Sequence, residues 1–240
     1  MNISKFTKPA RKLLPLRRCG AVIVAAGSAS RMGGIDKVMA TLRGEPMIVH
    51  TVRAFQNCDA IAEIVIVTRA DLIQPISGLC RDFDKVQAVV VGGSSRQESV
   101  ALGMNALSDK CELAAIQDGA RPLVTWELID RVVRAAHAYH AAIPVIPVKD
   151  TIKVVEGRVV KHTPDRATLF AVQTPQVFDI DLLRGALQQA QATGAQVTDD
   201  CSAVELMGMK VKLVEGDEHN IKVTTPLDLK IAQLFMEERK

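Results

Sequence analysis

Five short runs of small and β-branched apolar residues punctuate the chain: GAVIVAA at 20–26, EIVIVT at 63–68, VQAVVV at 86–91, ELAAIQ at 112–117 and AAIPVIPV at 141–148. Runs this short, with so few polar alternates, have to be covered on both faces, which is the condition of a strand inside a parallel sheet. Segments of helical period lie between them, PMIVHTVRAF at 46–55, SRQESVALGMNAL at 95–107 and TWELIDRVVRAAHAY at 125–139. Strand and helix in alternation are βαβ units. They predict a three-layer, Rossmann-like α/β fold on a mostly parallel sheet. Aromatic residues are only 3% of the 240, so Val, Ile, Leu and Ala have to fill the core.

One stretch breaks the rhythm. Residues 151–163, TIKVVEGRVVKHT, are two β-branched segments around Glu156-Gly157, which predicts a β-hairpin. Inserted after the fifth strand, it projects as an arm over about 149–172. Two helix starts carry capping-box spacing, Ser95 with Glu98 and Thr225 with Asp228, the second with Pro226 at the first helical position. From Thr225 the last helix runs to the C-terminus. A single domain is expected over 19–240, preceded by a basic extension at 1–18.

That extension accounts for the net charge. Lys5, Lys8, Arg11, Lys12, Arg17 and Arg18 meet no acid in the first 20 residues, and removing their six charges from the total of +3 leaves the other 220 residues at −3. A mildly acidic body lacks the basic stripe of a nucleic-acid-binding surface. The head reads as a short disordered extension, although its Arg-rich, acid-poor composition is also that of an organelle transit segment. It has no secretory apolar core, and no run approaches a membrane span. Five widely spaced cysteines without a CxxC pair read as free thiols in a reducing compartment, hence a cytoplasmic expectation.

The first βα unit carries the strongest chemical signal, AVIVAAGSASRMGGIDK at 21–37. A buried strand runs out into Ala25, Ala26 and Gly27, then a loop of small residues leads to Arg31 and Lys37. Small residues let backbone amides approach phosphates closely, at the carboxyl end of a strand where open α/β sheets bind ligands. Arg31 offers a planar fork and Lys37 a compact charge. A dinucleotide site is the rival, but Ala29 stands where G-x-G-x-x-G needs its second glycine, and strand 63–68 ends in Thr68 rather than an acid. Asp199 and Asp200 have the look of a metal pair. The preceding Thr198 points instead to a helix N-terminus, where acids are stabilised by the dipole. His50, His137, His140, His162 and His219 show no ligand spacing.

The loop AAGSASRMG followed by Lys37 resembles the nucleotide-binding signature of sugar-phosphate nucleotidyltransferases. QDGARPLV (117–124), PVKDTIK (147–153), HTPDR (162–166), VQTPQVF (172–178), TDD (198–200) and NIKVTTPLDL (220–229) follow in the order of one branch, the 2-C-methyl-D-erythritol 4-phosphate cytidylyltransferase family. The resemblance spans about 19–236. It implies that Arg31 and Lys37 contact the CTP phosphates, and that Ala25, Ala26, Gly27, Gly93 and Ser99 line the cytidine pocket. It assigns the acceptor to Asp118, Arg121, Thr151, Arg166, Thr174 and Lys222, with Arg166 and Lys222 aiming its phosphate at the α-phosphorus. Three departures bear on base specificity rather than reaction class: Ser94 where relatives often have an acid, Gly119 in place of an alanine, and Val38 where Gln is frequent.

Physical chemistry agrees with that implied reaction. A phosphate monoester has its second pKa near 6, so the nucleophile is already largely dianionic at neutral pH and needs no base. Cations are needed, and Arg31, Lys37, Arg121, Arg166 and Lys222 are cations. A Mg²⁺ held mainly by the CTP phosphates is expected to complete the neutralisation. The implied partners are CTP, methylerythritol phosphate and a second copy of the chain, whose arm crosses a two-fold axis to bring Thr151 and Arg166 to its neighbour's pocket. Within the same chemistry the rival is ribitol-5-phosphate cytidylyltransferase, and outside it a non-catalytic nucleotide-binding regulator. The chain's end at 240 sets aside a bifunctional relative with a cyclodiphosphate synthase domain.

Overall fold

In the computed structural model, which describes residues 16–27 and 36–238, all five apolar runs are strands of one sheet. In chain order the elements are β1 (Cys19–Val24), the short β2 (Thr41–Leu42) and β3 (Glu45–Pro46), α1 (Met47–Gln56), β4 (Ile61–Thr68), α2 (Ile73–Leu79), β5 (Val86–Val91), α3 (Arg96–Asn105) and β6 (Leu113–Asp118). There follow α4 (Trp126–Tyr139), β7 (Ala141–Pro147), β8 (Val154–Glu156), β9 (Val159–His162), β10 (Phe170–Val172), β11 (Gln176–Asp179), α5 (Ile180–Thr193), α6 (Asp200–Leu206), β12 (Lys212–Glu215) and α7 (Pro226–Glu238).

The main sheet runs β5-β4-β1-β6-β11-β7, with β10 and β12 also paired to β7. Strands β5, β4, β1 and β6 are mutually parallel, β11 is antiparallel to both β6 and β7, and β12 is parallel to β7. Period-two alternation divides each central strand between two cores. Ala21, Ile23, Ile64 and Ile66 join Val52 and Phe55 of α1 and Ile129 and Val133 of α4. Val22, Val65 and Val67 face the other way, with Val100 and Met104 of α3, Leu183 of α5 and Val204 of α6. A third cluster, holding Leu42, Met47, Ala120, Val223 and Ala232, seats α7 beside the end of β6. Among the described residues no helix is long and apolar enough to cross a membrane.

Helix α3 lies very close to the sheet. A Cβ on Gly103 would stand 2.3 Å from Val22 Cγ1 and 2.7 Å from Val67 Cγ2. Gly103→Ala is therefore expected to destabilise, because an approach of that size belongs at the upper end of the ~1–3 kcal/mol cost of overpacking. That exceeds the ~1 kcal/mol that Ala gains over Gly inside a helix. The check is a lower urea midpoint at unchanged slope; an unchanged midpoint would show that α3 can back away freely.

The structure refines four sequence expectations. The hairpin pairs as β8 with β9 in a small sheet of its own, but residues 151–153 precede its strands. Lys222, expected at a strand end, sits in a strandless segment instead. The box at Thr225 closes both ways, Asp228 N donating to Thr225 Oγ1 at 3.2 Å and Thr225 N to Asp228 Oδ2 at 2.8 Å. At Ser95 the return contact slips by one residue, since Glu98 Oε2 accepts from Ser94 N and Oγ, both at 2.7 Å. Part of the expected basic extension lies among the described residues. Arg17 is tied to the body by Asp179 at 2.6 Å and Glu112 at 3.2 Å, while residues 1–15 lie outside the described residues.

Candidate active site

Strand β1 is buried through Ile23, and its continuation stays anchored to the sheet, Ala25 N donating to Val67 O at 2.7 Å. Ala25, Ala26 and Gly27 then open onto a cleft of about 430 Å³ at the carboxyl ends of β1 and β6. That volume suits a small ligand. Lys37, Val38, Gly93, Ser95, Arg96, Ser99, Asp118, Ala120 and Lys222 complete much of the lining.

Three local devices shape the nucleotide side. The turn holding Lys37 is capped by Asp36, whose Oδ1 accepts from Val38 N at 3.1 Å and whose other oxygen pairs with Arg69. Lys37 Nζ lies 3.8 Å from where a Cβ on Gly27 would be, so the ammonium sits beside the start of the small-residue loop. Across the cleft, the buried Ser99 Oγ donates to Ser95 O at 2.9 Å and accepts from Gly93 N at 3.1 Å, fixing the turn before α3. A Cβ on Gly93 would meet Glu98 Cγ at 2.2 Å, so any larger residue there has to displace the Glu98 side chain that caps the turn.

The opposite wall is a line of alternating charge. Asp118, 9% exposed, receives Lys222 Nζ at 2.8 Å, Arg96 Nη2 at 3.7 Å and Arg121 Nε at 3.8 Å. Burial works against the Asp118 carboxylate, yet the cations of Lys222, Arg96 and Arg121 outweigh it and hold its pKa below the ordinary carboxylate range. Arg96 also reaches Asp200 Oδ2 at 2.8 Å, and Asp200 is 1% exposed. Here burial, with the negative charges of Asp118 and Asp199, prevails over Arg96 and raises the carboxyl pKa.

The segment carrying Lys222 is pinned on both sides. Val223 N donates to Ala120 O at 2.8 Å, Arg121 Nη1 donates to Asn220 O at 2.7 Å, and Asn220 Nδ2 donates to Thr174 O at 2.9 Å. Thr174 Oγ1 in turn accepts from Asp118 N at 3.2 Å. Arg121 and Thr174, which the resemblance assigns to the acceptor, are thus engaged with the frame that holds Asp118 and Lys222.

Of the sequence-expected residues, Ala25, Ala26, Gly27, Lys37, Gly93, Ser99, Asp118 and Lys222 come together in the cleft, with Arg121 and Thr174 supporting it. Thr151 and Arg166 do not line it. Both are exposed on the arm, Arg166 Nη1 donating to Lys149 O at 2.8 Å. Arg31 lies outside the described residues. Asp199 is a helix cap, its Oδ1 accepting from Ser202 N at 2.9 Å while Ser202 Oγ accepts from Asp199 N at 3.2 Å. Arg96 and Asp200 are the site residues that sequence reasoning did not place in the cleft, because 104 positions separate them and Asp200, within an apparent metal pair, reads as a helix start. All five cysteines are buried free thiols.

The comparisons with known proteins agree with this geometry. The family model described as 2-C-methyl-D-erythritol 4-phosphate cytidylyltransferase matches residues 19–238. A relative of that name from Caldanaerobacter subterraneus subsp. tengcongensis is 44% identical over 225 residues, covering 90% of this chain and 97% of its own. A crystal structure of 4-diphosphocytidyl-2C-methyl-D-erythritol synthase from Anaerococcus prevotii superposes with a TM-score of 0.85 at 30% identity, covering 93% of this chain and all of that one. The Thermus thermophilus 2-C-methyl-D-erythritol 4-phosphate cytidylyltransferase gives 0.76 at 32% identity over 92% of this chain and 99% of its own. Sequence match and Rossmann-like fold extend together from the first strand to the last helix, and the chain belongs to the 2-C-methyl-D-erythritol 4-phosphate cytidylyltransferase family of nucleotidyltransferases.

Proposed function

We propose that the protein transfers CMP from CTP to 2-C-methyl-D-erythritol 4-phosphate, giving CDP-methylerythritol and pyrophosphate. The observation that carries this reading is that Lys37 and the Asp118–Lys222 pair line one cleft, under the small-residue end of β1. The acceptor phosphate oxygen attacks the α-phosphorus of CTP, the bond to the bridging oxygen breaks, and the electron pair leaves with pyrophosphate. Two anions meet in that step. Lys37 and Arg31 are assigned the leaving phosphates and Lys222 the incoming one.

Mg²⁺ fits this reading as an ion carried by the CTP phosphates. Among the described residues no three His, Cys, Asp or Glu side chains converge to hold a metal, and Asp118 is already surrounded by cations. The protein's own contribution is positive charge at fixed positions.

The second part of the proposal is a homodimer. The arm stands outside the main sheet with Val155, Val159 and Val160 more than half exposed. An isolated two-stranded hairpin is marginal in water. Packing against a second copy covers it and carries Thr151 and Arg166 to the partner's acceptor pocket. The reaction is tested by pyrophosphate release from CTP with methylerythritol phosphate and ribitol 5-phosphate offered in parallel, in the presence of Mg²⁺. Methylerythritol phosphate is expected to turn over fastest. Equal or faster turnover of ribitol 5-phosphate overturns the acceptor, and equal use of UTP or ATP overturns the base.

A further inference from the structure

We propose that Arg96, held from below by the buried carboxylate of Asp200, is a positioning residue that leaves Asp118 free to hold Lys222 in the cleft. Asp200 opens the short helix α6, where a surface acid would gain from the helix end without leaving water. Instead it is 1% exposed and its partner is a cation from another element. Its place is fixed twice over. Asp199 and Ser202 close a capping box, and Gln176 of β11 bolts the helix start to the sheet, donating to Asp199 Oδ2 at 2.7 Å and accepting from Cys201 N at 3.0 Å.

Arg96 begins α3, directly after the turn that lines the nucleotide side. Its guanidinium spans two carboxylates, at 2.8 Å from Asp200 but only 3.7 Å from Asp118. The unequal distances matter. With Asp200 in place, Arg96 is drawn back and Asp118 makes its short contact with Lys222, at 2.8 Å. Arg96 faces Asp118 Oδ1 and Lys222 faces Oδ2, so with the Asp200 charge removed Arg96 moves onto Oδ1, turns the carboxylate and loosens Oδ2 from Lys222. A half-buried cation that loses one carboxylate turns to the other that it already faces, because breaking an ion pair from one side leaves the remaining charge uncompensated.

The inference rests on the cytidylyl transfer proposed above, and wild-type turnover measured alongside separates failure of that reaction from failure of this inference. Asp200→Asn is expected to lower kcat by roughly 10- to 10²-fold, the scale of a misplacement near 1 Å. Its Kd for CTP, read by calorimetry, should move by less than about threefold, a ratio worth only about half of the 1.36 kcal/mol that a tenfold change represents. The deciding measurement is the same substitution in an Asp118→Asn background, where Arg96 has no carboxylate to capture. There Asp200→Asn is expected to cost nothing further in kcat. Equal loss in both backgrounds overturns the proposal, as that is the signature of a damaged scaffold, and so does near-normal kcat in the single variant. If Asp200→Asn does not fold, Arg96→Lys carries the test. A point charge cannot span both carboxylates as the fork does, so its kcat should fall by a similar factor, again only with Asp118 present; normal kcat in Arg96→Lys overturns the inference.

Discussion

Lys37→Ala is expected to lower kcat by about 10²–10³, a loss of roughly 2.7–4 kcal/mol of transition-state stabilisation, as for removal of one oxyanion-hole donor. Lys37 lines the cleft beside Gly27, at the place where the triphosphate of CTP has to lie if the base occupies the pocket beyond β1. The charge that builds on the pyrophosphate oxygens during bond cleavage is absent in bound CTP, so a cation matched to it acts on kcat more than on CTP affinity. Folding should survive, because changes away from a core usually move stability by about 0.5 kcal/mol or less, and the turn itself is held by Asp36 and Arg69. Arg31→Ala is expected to behave alike. Steady-state kinetics with a melting curve for each variant decide the matter, and near-normal kcat in both would reduce the loop to a simple connection.

The second large effect is recovery of activity from two dead proteins. Lys37→Ala and Arg166→Ala, mixed after dissociation and allowed to reassociate, should regain about a quarter of wild-type sites. Random pairing makes about half the dimers mixed. If Arg166 works in the neighbour's pocket, each mixed dimer has one site carrying both defects and one carrying neither. If Arg166 works in its own chain, every site keeps a defect and the mixture stays dead. The geometry favours the exchange: Arg166 and Thr151 are exposed and outside the cleft of their own chain, on an arm whose valines also face outward. Mixed dimers confirmed by differential tagging, yet without recovered turnover, would end the idea of exchange while leaving the transfer reaction standing.

The layered architecture was readable because β1, β4 and β6 are covered on both faces, so apart from Glu63 near the start of β4 their polar residues come only where the strands end. The capping box at Thr225 and the cap at Asp199 were readable because they are local, their partners three residues away. Strands β10 and β12 were not. Phe170–Val172 is three residues long and exposed, and Lys212–Glu215 is four and half-exposed, so neither has the length of the buried runs. Helix α5 is marked locally, with Asp179 accepting from Asp181 N and Leu182 N at its start and Gly194 at φ 66° at its end. Lys222 was expected at a strand end because Ile221 and Val223 flank it. What holds it is a backbone contact to Ala120 and the buried Asn220, contacts that no local pattern encodes. The Arg96–Asp200 pair was invisible for the same reason.

Because Lys222 is pinned through Val223 to Ala120 and through Asn220 to Thr174, the reactive centre has a birth order. Gly27 leaves the ribosome 195 residues ahead of Lys222, which at about 5–20 residues per second is a delay of roughly 10–40 s. From the synthesis of Asp118 to that of Lys222 a nascent chain can own its nucleotide side, yet Asp118 has no lysine to hold. The cation assigned to the incoming phosphate is thus made long after the nucleotide side, and a chain that stops before Lys222 leaves Asp118 without it.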